Sequence, residues 1–141
     1  DLPKQRAFDL MNAHQGIDVM FGSASAERIA EFRAVPFPIM RGLMGLRVAL
    51  VRKDGIDTLK QVYTQLTLAR LRVGQFNTWS DTEILRANHF NLEAGSDLDG
   101  LYQMLARGRI DYFPRSVLEV LQNQQQYQQL QPQLNAAGPA E

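Results

Sequence analysis

What most limits the fold of this chain is alternation. Segments with helical spacing of apolar residues take turns with short apolar runs of strand type, from residue 3 to about residue 130. Such alternation predicts an α/β fold with a largely parallel sheet, because each strand-to-strand crossover is made by a helix. Residues 3–14 predict a helix, with Phe8, Leu10 and Met11 near one face, Pro3 in its first turn and Gly16 as its stop. A strand is expected at 17–21 (IDVMF). A helix follows over Ala26–Phe32, capped by Ser23 or Ser25, with Glu27 at its positive end. Pro36 and Pro38 impose an extended path. The stretch 43–53 is the most strand-like and ends at the turn Lys53-Asp54-Gly55.

Beyond it, Ile56, Leu59, Val62, Tyr63 and Leu66 predict one helix over 56–70, and 71–75 a strand. A polar link leads to a helix over 80–89, capped by Ser80 or Asp81, with Ile84 and Leu85 facing inward. A strand is expected at 90–95. The next helix, 96–108, has Ser96 at its cap, Asp97 and Asp99 in its first turn, and Gly108 after its end. A strand over 110–113 closes at Pro114, and a last helix covers 115–130. The glutamine-rich stretch 122–133 is of low complexity and reads as a solvated helix running into a frayed tail.

Composition narrows the function. The 141 residues are 45% hydrophobic and 21% charged, an ordinary globular mix sized for about one domain. Fifteen basic residues balance fifteen acidic ones, which argues against a nucleic-acid partner. Without cysteine there is no disulfide, thiolate site or thiol nucleophile. No apolar run is long enough for a membrane helix, and no export signal opens the chain. It begins at Asp1 rather than Met, so a processed or excised piece is expected.

Phosphate-loop, nucleophile-elbow and zinc-protease motifs are all missing. His14 and His89 precede turns and read as helix-end residues. No enzyme chemistry, cofactor or metal is indicated, and recognition is the remaining class. Arg28 follows the small-residue run 22–26. A helix start and an arginine fork suit a carboxylate, although, taken alone, a surface pair with Glu31 is the simpler account of Arg28. The link after the 71–75 strand offers Gln75, Asn77, Thr78 and Trp79 at a strand's carboxyl end, where open α/β sheets hold ligands. Trp79 suits a cleft or a core. The basic stretch 28–53 fits either an electropositive face or a solvated one.

Three blocks, in this order and spacing, resemble the bacterial extracellular solute-binding proteins of the amino-acid-binding kind. They are GIDVMFGSASAERIAEFRAVPFPIMRGLMGLRVALV, LRVGQFNTWSDTEILRANHF and YQMLARGRIDYFPRSVLE, and together they span roughly residues 16–120. The resemblance implies a periplasmic-binding-protein-like α/β fold: two lobes joined by crossing strands, with the ligand in the interlobe cleft. Here it implies a partial first lobe and crossing strand over 1–55, a second lobe over 56–112, and a return segment, helix and tail over 113–141. The first lobe looks incomplete at both ends, as in the middle of a longer protein. Open strand edges then invite homodimerisation or strand exchange.

By resemblance, Arg28 stands where an arginine grips a ligand carboxylate. Ser23, with Ser25 beside it, stands at the assisting hydroxyl position, and 75–78 match the loop that closes over the ligand. Relatives that bind amino acids carry an acid four or five residues after the aspartate of the GriD motif. Here Arg115 and Ser116 occupy those places, which disfavours an ammonium and favours an anionic ligand. Asp111 itself reads as structural. The implied function is solute binding for an ABC-type uptake system or a related sensor, in the periplasm or outside the cell. The implied ligand bears a carboxylate, and the implied partner is a membrane transporter or receptor. The alternatives are a scaffold that keeps the fold without the ligand, or an enzyme on the same fold with no nucleophile or base that can be placed.

Overall fold

The computed structural model describes residues 2–123 and, in backbone, 134–137. The chain divides into two compact units, Asp1–Ile39 and Met40–Glu141.

The N-terminal unit holds two helices among its described residues, α1 (Lys4–Asn12) and α2 (Ala26–Glu31). Phe8 is its buried anchor and packs on Phe32, with ring centres 5.6 Å apart. Left-handed backbone at His14 and Gly16 turns the chain out of α1. The strand expected at 17–21 does not form. Val19 is 86% and Phe21 63% exposed, and the segment has no ladder partner among the described residues. A strand exists only through pairing, and the other extended run of this unit is interrupted by Pro36 and Pro38, which have no N–H to give.

The C-terminal unit is a mixed α/β arrangement, and the fold class is α/β as expected. After a 3₁₀ turn at Leu43–Gly45, β1 (Arg47–Arg52) carries the chain into it. Then come α3 (Ile56–Lys60), α4 (Gln65–Arg70), β2 (Arg72–Phe76), α5 (Ser80–Ala87), β3 (Asn91–Gly95) and α6 (Leu98–Ala106). The chain returns along β4 (Phe113–Ser116) into α7 (Val117–Gln122), and β5 (Leu134–Ala137) follows. The helix expected over 115–130 is described only as far as α7; residues 124–130, and the glutamine-rich 124–133, lie outside the described residues.

The strands form two sheets, β4-β1-β5 and β2-β3, and less of the pairing is parallel than expected. β2 and β3 pair in parallel, Arg72 opposite Asn91 through Phe76 opposite Gly95. A parallel bridge joins Val73 to Tyr112, supported by the Gly74 N–H donating to the Tyr112 carbonyl at 3.0 Å. But β1 is antiparallel to both neighbours, in the order β4-β1-β5. The chain leaves along β1, builds a βαβ excursion, and comes back along β4, so those two strands must run opposite ways. The tail expected to be frayed instead supplies β5, because the second edge of β1 offers unpaired backbone groups to any extended segment.

Five local expectations are corrected. The helix expected over 56–70 is two helices. Thr64 is extended and forms a reciprocal capping box with Thr67, starting α4 afresh and leaving Tyr63 and Leu66 in solvent. The cap of α5 is Trp79, not Ser80 or Asp81, and Ile84 is 59% exposed while Leu85 packs inward. Asp97, not Ser96, caps α6, accepting from the Gly100 N–H at 2.6 Å. Pro114 does not close the last strand but sits inside β4, opposite Ala49, in the outer strand of its antiparallel sheet, where a missing N–H is tolerated.

Two core clusters flank the sheet, and strand alternation sorts residues between them. Leu50 and Phe113, opposite each other in register, bury with Leu101, Tyr102, Leu105 and Ile110. Val51, Val73 and Tyr112 bury on the other side with Leu85 and Leu92 against them. Gly74 lets this happen: a Cβ there would collide with Ile110.

Candidate functional site

The predicted site residues fall into two groups, one in each unit. In the N-terminal unit the six-residue α2 starts at Ser25, whose hydroxyl accepts from the Arg28 N–H at 3.3 Å. Arg28 lies one turn in, half-buried. Its Nη1 donates to the Ser23 carbonyl at 3.0 Å and to the Ser23 hydroxyl at 2.8 Å. The guanidinium rests 4.4 Å from the centre of the Phe8 ring. So Ser23, Ser25 and Arg28 come together, and Arg28 turns back to Ser23 rather than forward to Glu31. The Phe8 platform was not foreseen: α1 brings it from twenty residues away, and nothing local to Arg28 announces it.

In the C-terminal unit Gln75 is in mid-strand β2, 2% exposed, and its Oε1 has no hydrogen-bond partner. Asn77 and Thr78 are exposed at the strand's end, where the Asn77 N–H donates to the Gly95 carbonyl at 2.8 Å. Trp79 is half-buried. It stacks on Phe76 and Phe113 with ring centres 5.5 and 6.2 Å away, so it packs against the core and also covers a cation. That cation is Arg115, whose guanidinium carbon stands 5.2 Å from the Trp79 ring centre and 5.4 Å from that of Phe113.

Arg115 is 3% exposed. Its Nη1 is 3.5 Å from Glu119 Oε1, one helical turn on, yet neither Nε nor Nη1 has a hydrogen-bond partner. Glu119 also accepts from the Ser116 N–H at 2.8 Å, in the capping box of α7, and stands 3.6 Å from Arg47. Arg47 in turn meets Asp81 at 2.8 Å. Burial pushes the neighbouring Tyr102 phenol up, and the Arg115 charge offsets only part of that. Glu119, Arg47 and Asp81 were not singled out from the sequence. The i,i+4 spacing of Arg115 and Glu119 was the one readable signal; the others meet only through strand pairing and helix placement.

Asp111 is structural, as read from the sequence. Its carboxylate accepts from the Arg72 N–H at 2.7 Å and from both Nε and Nη2 of Arg72. Burial alone would raise its pKa, but the bonds and charge of Arg72 together carry it below the ordinary aspartate value. Much of the basic stretch is paired: Arg47 as above, and Arg52 with Asp54. Two shallow clefts of this unit, about 220 and 360 Å³, are lined by other residues, among them the Arg72–Asp111 pair in the first and Asp97 and Arg107 in the second. Among the described residues no group of His, Asp and Glu has metal-site geometry, and no helix is long and apolar enough to cross a membrane.

No protein-family model matches the chain, and no curated protein does. Among the solved structures similar to this chain are the following two. One is the L-cystine solute receptor of Neisseria gonorrhoeae in its unliganded open conformation, at 15% identity and a TM-score of 0.49, over 67% of this chain and 38% of the receptor. The other is an ancestral cyclohexadienyl dehydratase, at 16% identity and a TM-score of 0.47, over 97% of this chain and 63% of that one. This chain therefore spans less than two thirds of either protein.

Proposed function

We propose that this chain is part of a solute-binding protein, of an ABC-type uptake system or a related sensor, and that it recognises a small carboxylate-bearing ligand without transforming it. A periplasmic or extracellular location and a membrane transporter or receptor partner belong to the same proposal, as do the lobe boundaries at 55 and 112. The observation that carries it is Arg28. Its side chain is fixed by two bonds to Ser23 and by the Phe8 ring, and it remains partly open to solvent. A guanidinium held in this way loses little side-chain freedom on meeting a carboxylate.

The test is a thermal-shift screen of the folded protein with amino acids, dicarboxylates and other organic anions. A ligand at a hundred times its Kd adds about 2.7 kcal/mol to stability. Arg28→Ala removes the carboxylate-dependent shift. An unchanged shift in that variant, or no shift with any compound in the wild type, overturns the reading.

A second reading, a scaffold that keeps the fold without a ligand, is favoured by one observation. Val19, Phe21, Val35, Phe37 and Ile39 are all more than half exposed within one short unit, a density of apolar surface that marks protein contacts. Concentration-dependent association, unaffected by every compound in the screen, is its expected signature.

A further inference from the structure

The strand β3 is open on one side. β2 pairs along one of its edges, and among the described residues no strand pairs along the other. The backbone N–H and C=O groups of that outer edge have no ladder partner. Exposed edges are ordinarily guarded by lysine, proline or a bulge. Asn91–Gly95 contains neither lysine nor proline, and its register with β2 runs without a bulge. Asn91, Glu93 and Ala94 are exposed.

Beside this strand lies the larger of the two shallow clefts, about 360 Å³. Its lining begins at Ala94 and Gly95, follows α6 through Asp97 and Gln103, and ends at Arg107 and Arg109. The cleft is therefore negative at one end and positive at the other. Both arginines are exposed, and neither has an ion pair among the described residues. The fold sets the direction. β3 runs toward Asp97, and α6 runs back. Just past α6 the Asp111 N–H donates to the Arg72 carbonyl at 2.8 Å, and Arg72 stands opposite Asn91. The cations thus lie toward the start of β3 and Asp97 at its end. The lengths agree: the nine residues of α6 rise about 14 Å, and the five of β3 extend about 16 Å.

We propose that the outer edge of β3 receives an extended peptide segment of a partner protein, added antiparallel. The segment carries a basic residue beside Gly95 and Asp97 and an acidic residue four positions on, toward Arg107 and Arg109. The backbone ladder supplies affinity, and the two charged ends set direction and register. Gly95 faces α6, since a Cβ there would meet Leu101 at 2.6 Å, so the first, third and fifth residues of the segment share the face of the cleft. A second copy of β3 fits poorly: pairing about the strand's midpoint sets Glu93 against Glu93. Free amino acids and small anions have no ladder to offer, so this site is separate from Arg28 and does not depend on its role.

The test titrates the full chain, labelled with ¹⁵N, with acetyl-Lys-Val-Thr-Val-Glu-amide. The amide signals of 91–95 shift and their hydrogen exchange slows. Acetyl-Lys-Val-Thr-Val-Lys-amide, which brings a cation to the arginines, binds about fivefold more weakly. Proline in place of the central threonine breaks the ladder and abolishes binding. Arg107→Gln combined with Arg109→Gln binds the two charged peptides alike, and Arg28→Ala changes none of these results. Unmoved β3 amides, equal binding of both peptides by the wild type, or a preference that survives in the double variant overturns the proposal and leaves carboxylate recognition at Arg28 untouched. Concentration-dependent shifts of the same amides without peptide overturn it in favour of a second copy.

Discussion

The two units differ in what they bury. Residues 1–39 also contain a strand-like apolar run, IDVMF, yet Phe8 is their one buried large side chain among the described residues. Met40–Glu141 holds both core clusters, with Leu50, Leu101, Leu105 and Phe113 wholly excluded from solvent. The difference shows that hydrophobic patterning is a demand, not a structure. IDVMF asks for neighbouring strands on either side and finds none among the described residues of its unit, whereas Ala49 and Leu50 of β1 are paired on both edges. In the first unit apolar side chains are left in water; in the second they cross-brace a sheet.

The largest effect that sharpens this contrast is Leu101→Ala. It empties a fully buried position packed by the sheet and by Ile110, and denaturant unfolding shows a loss of about 2–5 kcal/mol. Phe37→Ala, at a residue 75% exposed, changes the same measurement by about 0.5 kcal/mol or less. Equal costs for the two would break the comparison.

Overpacking comes next. Gly95→Ala places a Cβ 2.6 Å from Leu101 Cγ and costs about 1–3 kcal/mol by the same assay. Asp97→Ala, which strips the cap of α6, costs about 1 kcal/mol.

The remaining effects are the pH dependences, both of groups in the C-terminal unit. Asp111 titrates below its ordinary value in the folded state, so its contribution is present above about pH 4 and is lost as the pH falls through the lowered folded value. Tyr112 has the opposite sense. Burial, and then the charge of Asp111, push its phenol up to about 12 from 10.0. Its contribution is therefore complete below pH 10 and disappears as the pH rises from there to about 12. Melting curves across both ranges check this, and Asp111→Asn flattens the acid limb. An acid limb unchanged in Asp111→Asn removes the Arg72–Asp111 pair from the account.

Much of the C-terminal unit was legible in the residues. The positions of β1, β2, β3, α5 and α6 follow from apolar spacing and caps within a few residues, because these elements present their pattern to a core that exists. The errors lie where a local signal met a competing one. At Thr64 a capping box outweighed the apolar stripe, and at Pro114 an outer strand excused a residue that normally ends one.

Of the candidate site, the residue types were readable and their surroundings were not. Small-residue runs pointed to Arg28 and the family resemblance to Ser23 and Ser25, but the Phe8 ring beneath that arginine comes from a different helix. The surroundings of Arg115, the rings of Trp79 and Phe113 with Glu119 beside them, were likewise not readable from neighbouring residues alone.

By itself the sequence determined the α/β class, most of the turns, and which side chains want burial, since these depend on neighbours a few residues away. Only the tertiary structure decided that β1 runs against both its partners, that 17–21 goes unpaired, and that two of the three Arg115 nitrogens lie buried without hydrogen bonds. Pairing and desolvation depend on residues that are remote in the chain, and no local pattern encodes which of them will arrive.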